Sequence, residues 1–124
     1  MSVLKNGKLA FLILPLVISG CAGMIGDFEN MSVENISFSA KYQRTVDCLN
    51  TAAMNHGYMM RDTGDKIGTA HRYELTKNDV EKFITLDISG QGKNTDITAI
   101  YDRRETALIS GFDGVVGYCK RDLG

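Results

Sequence analysis

Phe83-Ile84-Thr85-Leu86-Asp87-Ile88-Ser89-Gly90-Gln91-Gly92-Lys93-Asn94-Thr95-Asp96-Ile97-Thr98-Ala99-Ile100-Tyr101-Asp102-Arg103 is the stretch that speaks most directly of fold in this 124-residue chain. Successive side chains of a strand point to opposite faces, so a period of two marks a strand with one buried side. Ile84, Leu86 and Ile88 fall on one side, and Phe83, Thr85 and Asp87 on the other. Ile97, Ala99 and Tyr101 likewise oppose Thr98, Ile100 and Asp102. Gly90-Gln91-Gly92-Lys93-Asn94 lies between the two runs and suits a chain reversal. The stretch predicts an antiparallel hairpin with a flexible loop.

Moving towards the N-terminus, Tyr58 to Asp62 fits a short strand, Asp62-Thr63-Gly64-Asp65 a turn, and Ile67 to Leu75 a second strand, with Thr76 to Asp79 as a connection. Before them, Tyr42, Thr45, Val46, Leu49, Ala52 and Ala53 recur at helical spacing. A helix is expected from about Ala40 to His56. Ser37 or Ser39 would cap its first amides, and Gly57 suits the left-handed residue that ends it. With about 100° between residues, the apolar stripe centres near Leu49 and Cys48 stands at its edge. Towards the C-terminus, Ala107-Leu108-Ile109 fits either a strand or a short helical turn. Gly111, Gly114 and Gly117 argue against a long helix. Val115 to Lys120 reads as a last strand, with Val115, Gly117 and Cys119 turned to the helix. The expected fold is α+β: one N-terminal helix packed on an antiparallel sheet of four or five strands, a two-layer sandwich.

The first twenty residues follow another logic. Lys5 and Lys8 precede an apolar run from Leu9 to Ile18, and the small residues Ser19 and Gly20 follow it. A charged start, a short apolar core and a small-residue cleavage site are the marks of a signal peptide. A membrane-spanning helix needs about 20 apolar residues; this run is shorter and Pro15 interrupts it. Ile18-Ser19-Gly20-Cys21 resembles the lipobox of bacterial lipoproteins, an aliphatic residue and two small ones before a cysteine. The resemblance implies that diacylglycerol is attached through the Cys21 thiol and that the chain is cut between Gly20 and Cys21. Two acyl chains hold a protein stably on a membrane where one does not. Ala22 stands where Asp, in proteobacterial lipoproteins, favours the inner membrane. The resemblance therefore implies lipid attachment to the outer membrane, with the domain facing the periplasm.

Three regions are expected: a signal peptide at 1–20, a lipidated N-terminus and flexible tether at 21–35, and a single α+β domain at 36–124. Removing the first 20 of the 124 residues leaves 104, enough for one modest core, and without Lys5 and Lys8 it carries 12 basic against 15 acidic residues. A charge of −3 lacks the basic excess of a nucleic-acid binder. In an exported protein, the two remaining cysteines, Cys48 and Cys119, suggest one disulfide; two buried free thiols are the alternative.

Catalytic and cofactor chemistry finds no motif. His56 and His71 lack the close spacing of zinc ligands. Gly90-Gln91-Gly92-Lys93-Asn94-Thr95 lacks both the spacing and the following helix of a phosphate loop. Ser110, in Ile109-Ser110-Gly111, is not in a nucleophile elbow. No catalytic residue, metal site, cofactor or small-molecule substrate is assigned, and the expectation is a non-enzyme. Arg103-Arg104 and Lys120-Arg121 would form one basic patch if their strands were neighbours. The expected role is an envelope lipoprotein, anchored at Cys21, that serves as an interaction or accessory component of a cell-envelope assembly and has a protein partner there. The alternative is a lipid-anchored inhibitor of an incoming hydrolase such as lysozyme.

Overall fold

The structure, a computed structural model, describes residues 29–78 and 80–124. The signal peptide, Cys21 and the first part of the expected tether lie outside them. Residues 32–124 form one compact unit. Its elements are β1 (Met31–Phe38), α1 (Tyr42–Asn55), β2 (Tyr58–Ile67), β3 (Ala70–Lys77), β4 (Ile84–Gln91), β5 (Asn94–Asp102) and α2 (Thr106–Leu123). The class is α+β, with a five-stranded antiparallel sheet in the order β1-β5-β4-β3-β2. β1 lies antiparallel to β5, since Ser37 bonds Asp96 while Glu34 bonds Tyr101. β1 and β2 are opposite edges, so α1 carries the chain across the whole sheet.

The hairpin appears as the alternation predicts. Ile84, Leu86 and Ile88 are buried, as are Ile97 and Ala99, and Leu86 pairs with Ala99 and Ile88 with Ile97. The reversal is tighter than the expected five-residue loop. Gln91 pairs with Asn94, leaving Gly92-Lys93 as a two-residue turn, with Gly92 at φ 66°. Gly57 follows the end of α1 at φ 81°, the left-handed stop that the sequence suggested.

Four expectations require correction. The first helix is not N-terminal, because β1 precedes it and takes up Met31–Asn35, read as tether, together with Ile36–Phe38. Ile36 and Phe38 are buried, but β1 is an edge strand and its first five residues leave little apolar periodicity. Neither Ser37 nor Ser39 caps α1. Ser37 lies in β1, the N-cap is Lys41 without a side-chain bond, and Thr45 Oγ1 donates to the Lys41 carbonyl at 3.0 Å. Asp62-Thr63-Gly64-Asp65 is no turn but an irregularity within β2, where the register shifts between Asp62 and Lys66. Its turn chemistry is real: Gly64 N–H donates to Asp62 Oδ1 at 2.9 Å and Asp65 N–H to Thr63 Oγ1 at 3.2 Å. The chain reverses instead at Gly68-Thr69.

The largest correction is α2. No last strand exists; Val115 to Lys120 lies inside an 18-residue helix. Leu108, Phe112, Val115 and Cys119 form its buried stripe, at helical spacing. The glycines are sites of close approach. A Cβ on Gly111 would lie 2.3 Å from the Tyr58 hydroxyl, and one on Gly114 2.8 Å from His56 Nε2. Tyr58 enters the Gly111 notch and donates to the Leu108 carbonyl at 2.5 Å. Tight packing of α2 on the α1–β2 junction outweighs the cost of roughly 1 kcal/mol per helical glycine. The domain therefore has two helices over one sheet face, with Leu49, Ala52 and Ala53 of α1 joining the α2 stripe in the core.

Candidate functional site

Cys48 and Cys119 form a disulfide, with 6.0 Å between their Cα atoms. It joins α1 to α2, helix to helix, not helix to strand as expected. Cys119 is fully buried and Cys48 partly exposed. Beside it an open cleft of about 260 Å³ runs between the helices, lined by Arg44, Asp47, Cys48, Tyr118 and Asp122 among others. Asp47 already accepts a bond from Gln43 Nε2 at 2.8 Å.

The two histidines are kept apart. His71 packs on the Tyr42 ring at 5.4 Å between centroids, at the start of α1. His56 closes the far end of the same helix, its Nδ1 2.8 Å from the Ala52 carbonyl. With a rise of 1.5 Å per residue they stand roughly 20 Å apart. Among the described residues, no group of three His, Cys, Asp or Glu side chains could hold a metal. Thr95, from the glycine-rich hairpin, is buried and donates to the Ala40 carbonyl at 2.7 Å. Ser110 lies exposed on α2. The basic pairs do not merge either, since Arg103-Arg104 precede α2 and Lys120-Arg121 end it, roughly 24 Å apart along the helix. Lys120 reaches the Ser37 carbonyl and lies 4.7 Å from the centre of the Phe38 ring, so it closes the end of β1.

The sequence reading did not pick out the polar network on the sheet's open face. Arg72 grips Asp87 with two bonds, Nε to Oδ1 at 2.8 Å and Nη2 to Oδ2 at 2.9 Å. Arg61 pairs with Glu74 across β2 and β3, Thr98 donates to Asn35, and Ser37 donates to Asp96. Each is a cross-strand neighbour, and only the register puts such residues together. The bond to Asp87 pushes the Arg72 guanidinium pKa further up. At the end of β5, Asp102 accepts from the Arg104 side chain and backbone and lies 3.9 Å from Lys82. The bonds from Arg104 hold its carboxyl well below the usual carboxylate range. Tyr73 is pushed up by burial and by its 2.6 Å contact with the Tyr42 hydroxyl. These shifts accompany groups paired by hydrogen bonds.

The end of the sheet where β1 begins has a different surface. β2 and β4 also begin there, β3 and β5 end there, and α1 ends where α2 begins, as the pairings Tyr58 with Lys77 and Leu75 with Ile84 require. Val33, Met54, Met59 and Phe83 stand exposed around this rim. For Phe83 the sequence held a signal, an aromatic in the column of Thr85 and Asp87, which faces away from the core. No described helix is long and apolar enough to cross a membrane. No protein-family model matches the chain, and a search of curated proteins finds no match.

Proposed function

We propose that this protein is a non-enzymatic envelope lipoprotein, anchored through lipid at Cys21 and serving as an interaction or accessory component of an envelope assembly. The observation that carries the reading is the pairing of two independent features. Ile18-Ser19-Gly20-Cys21 follows a signal-like segment, and the remaining two cysteines are joined as a disulfide, the state favoured in an oxidising, exported compartment. The outer membrane, with the domain in the periplasm, is the proposed location, from Ala22.

Two measurements test this. Labelling with a fatty-acid analogue should mark the wild type and spare Cys21→Ser; equal label on both removes the anchor. Capture of partners from envelope extract by the lipidated protein should be saturable, beside an assay of lysozyme activity. Stoichiometric inhibition of lysozyme would replace the accessory role with that of an inhibitor.

A further inference from the structure

Scattered apolar side chains on a surface are ordinary; here most of the exposed large ones lie at one end of the domain. Val33 (63 % exposed) and Met59 (67 %) come from the two edge strands, Phe83 (44 %) from the residue just before β4, and Met54 (64 %) from the end of α1. On the sheet's open face Phe83, Val33 and Met59 share the terminal rows with partly buried Ile100. At the opposite end the exposed large apolar residues are Ile67, beside the β2–β3 turn, and Tyr118, in the last part of α2.

This same end receives the chain from the N-terminus, because β1 starts there. Cys21 precedes Val33 by twelve residues, and a chain of that length reaches at most about 40 Å when fully extended. A lipid on Cys21 therefore keeps this rim within reach of the bilayer at all times. The described charges of the rim, Lys77, Lys82, Arg103 and Arg104 against Glu34, Glu81, Asp102 and Glu105, cancel, so the surface offers apolar contact more than attraction to anionic lipid.

We propose that this end of the domain rests on the bilayer that holds the anchor, with Val33, Met54, Met59 and Phe83 entering the boundary between headgroups and acyl chains. The inference rests on lipidation at Cys21. It orients the molecule: strands and helices stand on the membrane, and the hairpin turns at Gly68 and Gly92, together with the disulfide's end of α2, face away towards a partner.

The chain contains no Trp, so a single introduced indole reports without background. Lipidated Phe83→Trp, Met59→Trp and Ile67→Trp proteins would be reconstituted in phosphatidylcholine vesicles with brominated acyl chains. Phe83→Trp and Met59→Trp should shift to the blue and lose emission to the bromines, and Ile67→Trp should do neither. Ile67→Trp controls for the membrane affinity of the indole itself, and Met59→Trp stands in should Phe83→Trp fail to fold. If the proteins float with the vesicles and no probe is quenched, the docking is wrong and the anchor stands. Equal quenching of all three, or quenching of Ile67→Trp alone, overturns the orientation. Failure to float removes the anchor, and the docking with it.

Discussion

The two faces of the sheet are built from the same strands by opposite means. The helix-covered face carries Leu75, Ile84, Leu86, Ile88, Ile97 and Ala99, and almost nothing polar. The open face carries Arg61–Glu74, Arg72–Asp87 and Asn35–Thr98, each a pair of cross-strand neighbours. Burial acts on one face without regard to direction, at roughly 25 cal/mol for each Å² removed from water. On the other, partly solvated ion pairs contribute little apiece, about 0–1 kcal/mol, yet each fits only one register. The covered face supplies stability, and the open face helps to fix alignment.

The sharpest way to break this contrast is to replace one residue on each face of the sheet, Leu86 of β4 on the covered face and Arg72 of β3 on the open one. Leu86→Ala should lower stability by about 2–5 kcal/mol. Arg72→Met, which removes the partner of Asp87, should cost no more than about 1–2 kcal/mol, since Asp87 can regain water. Urea midpoints measure both, and comparable losses would deny the division of labour.

The bridge that ties the two covering helices comes next. A disulfide closing a loop of 71 residues is worth roughly 4 kcal/mol in the chain-entropy model, at the top of the typical range of about 2–4 kcal/mol. Replacing both cysteines, Cys48→Ala with Cys119→Ala, should lose about that much while the far-ultraviolet dichroism keeps its shape. An unchanged urea midpoint would deny the bridge any part in stability. Thiol alkylation before and after reduction gives its occupancy.

The glycines of α2 sharpen the same contrast within one helix. Gly111→Ala sets a methyl group against the buried Tyr58 hydroxyl and should cost about 1–3 kcal/mol. Gly117→Ala meets only the end of Arg121 at 3.7 Å and should stabilise by roughly 0.5–1 kcal/mol from helix propensity. Like signs for the two would mean that α2 does not sit on Tyr58.

The smallest effect concerns pH. Asp102 is depressed in the folded state by Arg104. Its contribution is therefore present above the unfolded carboxylate pKa of about 3.9 and is lost as pH falls through the lower folded value. Stability from this group should be flat above about pH 5 and decline in acid. Asp102→Asn should show a shallower acid slope in urea titrations between pH 2 and 5; an identical slope would exclude Asp102 from the acid transition.

Much of the fold was legible because local and global preferences agreed. In β4 and β5 the alternation, the turn glycine and the core face pointed to one answer. In α1 the apolar stripe and Gly57 did the same. In α2 they conflicted. Leu108, Phe112, Val115 and Cys119 had helical spacing, but Gly111, Gly114 and Gly117 spoke against a helix, and their purpose became visible only with Tyr58 and His56 in place. Of the site, Cys48 and Cys119 could be paired from compartment and count. The open-face pairs could not, because Arg72 and Asp87 are fifteen residues apart and only the β3–β4 register makes them neighbours.

The sequence by itself determined the α+β class, the hairpin, the first helix and its stop, and the two cysteines available to each other. These depend on periodicity and on the φ preference of single residues, which act over a few positions. Tertiary structure alone decided that β1 pairs with β5, that Asp62 to Asp65 is a bulge within a strand, that the last segment is a helix, and that four exposed apolar side chains lie at one end. Each of these depends on which distant surfaces come into contact, and burial, being non-directional, leaves that choice to the packing of the whole chain.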